Sequence, residues 1–286
     1  MGQTIACANQ KGGVGKTTTV VNLGTYLALA GRRVLIVDVD PQGNATSGIG
    51  VDRSKLTNTL YEALTGEARL SDVIVETPVN GLAIAPSSVA LAGAEVELAP
   101  TDHRERRLAR ILADVSRDYD DLLLDCPPSL GLLTVNALTA ANAVLIPLQC
   151  EYYALEGLTQ LIATVNLVRD NLNPDLEIKG VVLTMFDART NLSADVAAEA
   201  RRHLGGAVFD TVVPRSVRLS EAPSFGLPIA SYRPDSRGAE AYAALAREFL
   251  SRSGAQEPGV PISPIVAGLE ATPTSVAGEP VLSAPT

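Results

Sequence analysis

Eight residues near the start of the chain, Lys11-Gly12-Gly13-Val14-Gly15-Lys16-Thr17-Thr18, carry the clearest chemistry in the sequence. Their glycines can take backbone torsions closed to other residues, so successive N–H groups can turn inward around an anion. A β-branched apolar run at residues 4–8 precedes them and a helical pattern at residues 17–30 follows. A strand, a glycine loop and a helix in that order aim the positive end of the helix at bound phosphates. Lys16 can then reach the β- and γ-phosphates of a nucleotide, and the Thr17 hydroxyl can ligate Mg2+. Gly12, Gly13, Val14, Gly15 and Thr18 supply the rest of the cradle. The pattern G-x-x-x-x-G-K-[ST] would put glycine at position 10; this chain has Gln10 there, and a second lysine, Lys11, opens the loop. Lysine is scarce, at positions 11, 16, 55 and 179 alone, so two within six residues set this loop apart from a surface that otherwise uses arginine.

Two acidic segments could serve the same ligand. One is Asp38-Val39-Asp40-Pro41-Gln42-Gly43-Asn44, at the end of an apolar run. Carboxylates at the C-terminal end of a parallel strand face the ligand crevice. If the strand runs over residues 34–39, alternation puts Asp38 and Asp40 on one side. The other is Leu122-Leu123-Leu124-Asp125-Cys126-Pro127-Pro128, an apolar strand ending in a carboxylate that can hold Mg2+ directly or through water.

These groups need a scaffold that holds strand ends in one row. Continuously apolar runs at residues 4–8, 34–39, 82–85, 121–125, 143–147, 178–184 and 208–212 read as strands buried on both faces. Helical spacing recurs between them, at 17–30, 132–140, 155–172, 194–204 and 239–250. The alternation predicts an α/β fold, a doubly wound, mostly parallel twisted sheet flanked by helices, in one domain over residues 1–252. Residues 253–286 are rich in Pro, Gly, Ser, Ala and Val without periodicity and read as a disordered tail.

Composition narrows the function classes. Of 286 residues, 46% are hydrophobic and 19% charged, the net charge is −9 and there is no Trp. Aromatic residues are 4%, too few for a stacking surface, and a coat of basic charge is excluded. Residues 185–237 nevertheless hold seven arginines against six carboxylates, leaving −10 for the rest of the chain. Cys7, Cys126 and Cys150 are odd in number and widely spaced, which argues against disulfides and zinc ribbons and for small core residues. No signal peptide, spanning segment or basic amphipathic C-terminus is apparent.

The loop Lys-Gly-Gly-x-Gly-Lys-Thr-Thr resembles the deviant Walker A loop of the ParA/MinD superfamily of ATPases, a P-loop NTPase type. The segment at 38–44 resembles the family's switch I, and Asp125-Cys126-Pro127-Pro128 its switch II. Residues 218–223 (Arg-Leu-Ser-Glu-Ala-Pro) and 236–240 (Ser-Arg-Gly-Ala-Glu) resemble the chromosome-partitioning, Soj-type ParA branch. The resemblance implies two ATP molecules held between two protomers, with Lys11 reaching across to the partner's nucleotide. It makes Lys16 the phosphate clamp, Thr17 and Asp125 the Mg2+ site, and Asp40 the residue that positions the attacking water and meets the metal through water. Asp38 becomes a metal ligand or a support for one. Thr184-Met185-Phe186-Asp187 and Val213-Pro214-Arg215 resemble the adenine-side loops, with Met185 and Pro214 offering apolar surface to the base. Soj-type relatives bind duplex DNA without sequence preference as ATP dimers; by motif, Arg189 and Arg218 take that role here. The partner implied is a ParB-type centromere-binding protein that stimulates an otherwise slow hydrolysis, and the location the cytoplasm and nucleoid, off the membrane. With its first strand at the N-terminus, the chain is expected to lack the helix-turn-helix domain of larger plasmid partition ATPases. The rival readings are a MinD-like regulator on membranes, a metal-cluster carrier needing clustered cysteines, and an ATPase that positions a protein cargo.

Overall fold

Each central strand divides its side chains between two cores. In β2 (Val34–Asp38) Val34 and Ile36 enter one hydrophobic cluster and Leu35 and Val37 the other. In β5 (Asp121–Asp125) Leu123 goes one way and Leu122 and Leu124 the other. A strand packed on both faces has no solvent side to make polar, which is why these runs are apolar throughout. Burying one such side chain fully stabilises by roughly 1.5–3 kcal/mol.

The computed structural model describes residues 2–151 and 154–254, the side chains of 154–156 excepted. One eight-stranded sheet has the order β3-β4-β2-β5-β1-β6-β7-β8. The other strands are β1 (Gln3–Cys7), β3 (Val75–Glu76), β4 (Leu82–Ala85), β6 (Ala143–Gln149), β7 (Glu177–Phe186) and β8 (Val208–Pro214). Every pairing is parallel except that of β3 with β4. The seven expected strands are present, with β1 set one residue earlier and β6, β7 and β8 running further. The two-residue edge strand β3 is an addition that its sequence did not signal.

Helix α1 (Lys16–Leu29) follows the glycine loop, and α2 (Asn44–Gly48) follows Asp40. The remaining long helices are Leu132–Ala140, Ala154–Asn171, Asn191–Leu204 and Arg237–Arg252. Shorter ones at Leu60–Thr65, Leu91–Leu98 and Arg107–Ala113 cover the sheet between β2 and β5. The tail expected at 253–286 lies outside the described residues from position 255 onward. No helix of the described residues is long and apolar enough to cross a membrane.

Candidate active site

Sheet register assembles the site. Cys7, the last residue of β1, pairs with Asp125 of β5, and Asp125 pairs in turn with Asp38 of β2. The glycine loop leaves β1, so loop, Asp125 and Asp38 stand side by side at the C-terminal edge of the sheet, where open α/β folds bind ligands.

The loop has the torsions its glycines foreshadow. Gly13 and Gly15 have φ of 74° and 92°, in the left-handed region, and Gly15 caps α1. Long-range bonds hold the loop. Asn9 Nδ2 donates to the Pro147 carbonyl at 2.7 Å, and its Oδ1 accepts the Lys11 N–H at 3.0 Å. The Thr184 hydroxyl donates to the Val14 carbonyl at 2.8 Å. Lys16 is buried, and its Nζ donates to the Lys11 carbonyl at 3.2 Å, curling back over the cradle. The Lys11 side chain stands 40% exposed and pairs with Glu151 at 3.0 Å.

Asp38 and Asp40 are both buried, but β2 stops at Asp38, so strand alternation does not place Asp40. A turn does. The Asp40 N–H donates to Asp38 Oδ1 at 3.3 Å, the Gln42 N–H to Asp40 Oδ1 at 2.9 Å, and the Gly43 N–H to the Asp40 carbonyl. Asp38 Oδ2 accepts from the Thr46 N–H at 2.8 Å and the Thr46 hydroxyl at 2.6 Å. Of the two roles weighed for Asp38, its bonds suit support: both its oxygens bind the segment that carries Asp40. Burial nevertheless raises its pKa to about 6, against those hydrogen bonds.

Asp125 differs. Its side chain is fully buried, neither carboxylate oxygen makes a well-formed hydrogen bond, and the Thr17 hydroxyl acts on it only from the margin of bonding geometry. Burial, and then the charge of Asp38, push its pKa well above the usual carboxylate range. A buried carboxylate so weakly partnered is costly unless a cation meets it. Beside a phosphate cradle and the Thr17 hydroxyl, this donor set suits a hard, oxygen-seeking cation such as Mg2+.

A cleft of about 390 Å3 opens beside the loop between Thr18 and Asn22 of α1, Asn44 and Ser47 of α2, and Pro223 and Leu227. Met185 and Pro214, expected against the base, do not line it. Met185 stands one residue before Phe186, which pairs with Pro214 at the ends of β7 and β8. Met185 has φ of 51°, a left-handed conformation that side chains seldom take. Arg189 and Arg218 are exposed, each in a local ion pair, with Asp187 and Glu221, both at 2.7 Å. The three cysteines are buried and free, and burial raises the pKa of each, so they are held as neutral thiols. Among the described residues no three His, Cys, Asp or Glu gather as a metal-cluster site.

Comparison with known proteins fits this geometry. A family model described as "AAA domain" matches residues 2–178. The sporulation initiation inhibitor protein Soj of Bacillus subtilis is 58% identical over 88% of this chain and 99% of its own length. The chain belongs to the ParA/MinD superfamily, in its Soj-type ParA branch. The chromosome partitioning protein ParA of Myxococcus xanthus is 52% identical over 90% of this chain and 91% of its own. Among solved structures, cobyrinic acid a,c-diamide synthase from Mycobacterium smegmatis with bound ADP and magnesium has a TM-score of 0.78 at 39% identity, covering 90% of this chain and 98% of that one.

Around the phosphate loop, Asn9 and Thr46 carry support that the sequence did not announce, and Thr184, expected only as part of an adenine-side loop, holds the phosphate loop through Val14. Asn9 adjoins the motif and could have been found as the polar residue ending an apolar strand. Thr184 and Thr46 act on partners 170 and eight residues away, and no local pattern announces either.

Proposed function

We propose that this chain is a DNA-partitioning ATPase: Mg·ATP closes two protomers face to face, the dimer holds duplex DNA without sequence preference, and hydrolysis stimulated by a ParB-type partner releases it. One contrast carries the reading. Lys16 is buried and turned to its own loop, whereas Lys11 is 40% exposed at the rim. A buried lysine serves the nucleotide in its own cradle; an exposed one on the same loop can serve the nucleotide of another subunit. A second cation there stabilises the charge that develops on the transferred phosphoryl group.

The other roles follow. Backbone N–H groups from Gly12 to Thr18 bind phosphate oxygens. Thr17 and Asp125 hold Mg2+, which when bound neutralises charge on the triphosphate oxygens. Asp40, fixed by the Asp38–Thr46 bonds, orients the attacking water. Met185 and Pro214, at the joined ends of β7 and β8 and not in the cleft of about 390 Å3, flank the base, and Arg189 and Arg218 contact DNA phosphates as positioning charges.

A gel shift on arbitrary duplex DNA tests the whole. Retention is expected with ATP, weakly or not at all with ADP or no nucleotide, and falling steeply with salt. Equal retention in all three states would overturn the reading. Asp40→Ala should hydrolyse ATP at least 100-fold more slowly, the scale of a lost catalytic group, while keeping an ATP-dependent dimer in solution scattering. Turnover at the parent rate would remove Asp40 from its role.

A further inference from the structure

Glu151 lies just past the end of β6, outside every motif of the nucleotide site, yet it gathers three side chains of that edge. Its Oε2 accepts from Lys11 Nζ at 3.0 Å. Its Oε1 accepts from Gln149 Nε2 at 2.5 Å and lies 3.6 Å from the Arg215 guanidinium. Gln149 is buried in β6, paired with Thr184 of β7, so it fixes the carboxylate on a rigid strand end. Arg215 follows β8, and its N–H donates to the Phe186 carbonyl at 3.1 Å. One carboxylate thus faces two cations from different elements, the nearer of which is the lysine that must travel.

We propose that Glu151 is a positioning residue, a latch that keeps Lys11 on its own protomer until nucleotide and partner compete for it, with Arg215 taking over the carboxylate as Lys11 leaves. The proposal rests on Lys11 serving the second subunit. The chemistry requires a replacement cation. Once a triphosphate sits in the cradle, a carboxylate stripped of its lysine is a bare negative charge beside other negative charge. Arg215 is already at 3.6 Å and needs only a small movement to close. The latch is weak by construction: with the two side chains 40% and 43% exposed, the pair is screened by water and can open.

Releasing a pair of this kind is worth up to about threefold to fivefold per protomer. Both protomers release their lysine on pairing, so Glu151→Gln should lower the dimer dissociation constant about tenfold, measured by sedimentation equilibrium with Mg2+ and ATPγS. Arg215→Ala, which removes the takeover cation, should weaken the dimer about threefold. In the Glu151→Gln background that second change should have no effect. Without nucleotide, amine-reactive labelling followed by mass spectrometry should find Lys11 labelled faster in Glu151→Gln, with Lys55 unchanged. A dimer no tighter in Glu151→Gln than in the parent, or Lys11 labelling that does not move, overturns the latch alone. A parent that stays monomeric with nucleotide, or a Lys11→Ala variant that dimerises as the parent does, overturns the reading beneath it, and the latch falls with it.

Discussion

Asp125 separates what a residue costs from what it does. Without a cation its carboxylate is buried, lacks a well-formed hydrogen bond and faces the charge of Asp38 across the strand pair. The asparagine variant removes that repulsion, so the nucleotide-free protein should melt higher, by about 2–4 °C if the relief is about 1 kcal/mol. With Asp125 in its proposed place at the Mg2+, the same variant also removes a ligand, so added Mg·ATP should raise its melting temperature far less than the parent's. Dye-based thermal melts with and without Mg·ATP check both halves; a lowered nucleotide-free melting temperature contradicts the first. The pH dependence has a definite sign. Asp38 and Asp125 are both raised in the folded, metal-free state, so folding takes up protons there. The contribution of Asp38 is present below about pH 4, the unfolded carboxylate range, and fades as pH rises through about 6, its folded value; that of Asp125 begins to fade from the same lower bound. Stability measured in chelator should therefore fall less over that window in Asp125→Asn. The position of this residue was legible, since the apolar run before it ends as a buried strand at Asp125. The weak hydrogen bonding of its carboxylate was not, because it depends on three strands meeting in register.

At the scale of elements, Thr46 shows how α2 is held to the sheet. Its hydroxyl donates to Asp38 Oδ2 and accepts the Ser87 N–H at 3.0 Å, joining the ends of β2 and β4 through one atom. Thr46→Val keeps the shape and deletes that atom, leaving a buried N–H unmatched and the raised carboxylate one donor short. The cost should be about 1–3 kcal/mol in urea unfolding, and with the role proposed for Asp40 hydrolysis should slow as that residue loses its support. Unchanged stability would mean that water replaces the hydroxyl. Long buried strands and long helices could be read from the chain because each repeats its pattern over several residues. The helices Leu60–Thr65, Leu91–Leu98 and Arg107–Ala113 give only one or two turns, too few to show a period, and β3 gives two residues. One signal was there to be found: Thr59 and Glu62 form a capping box at the start of Leu60–Thr65, with the Glu62 carboxylate accepting the Thr59 N–H at 2.6 Å.

On the whole molecule, the sequence located the arginines but not their surroundings. A net charge of −9 opposes approach to DNA, so any DNA surface must be local and outweigh its own counter-charges. Arg189 and Arg218 each already face a carboxylate, with side chains 86% and 50% exposed. The Arg189 guanidinium beside it holds Asp187 down to about 2, so that partner stays charged at any working pH. A phosphate must displace these acids, and exposed pairs give way readily because water screens them. Two consequences distinguish a DNA contact from a structural pair. Arg189→Ala and Arg218→Ala should leave the melting temperature close to the parent's, since water screens an exposed pair and little stability goes with it. Each should weaken retention of arbitrary duplexes to the same degree whatever their sequence. In a dimer each substitution removes two phosphate contacts, so the slope of log affinity against log salt should become shallower by about 2. Filter binding with ATP across a salt series measures that slope directly. If it stays at the parent value while the melting temperature drops, the arginines are structural pairs and the DNA face lies elsewhere on the molecule.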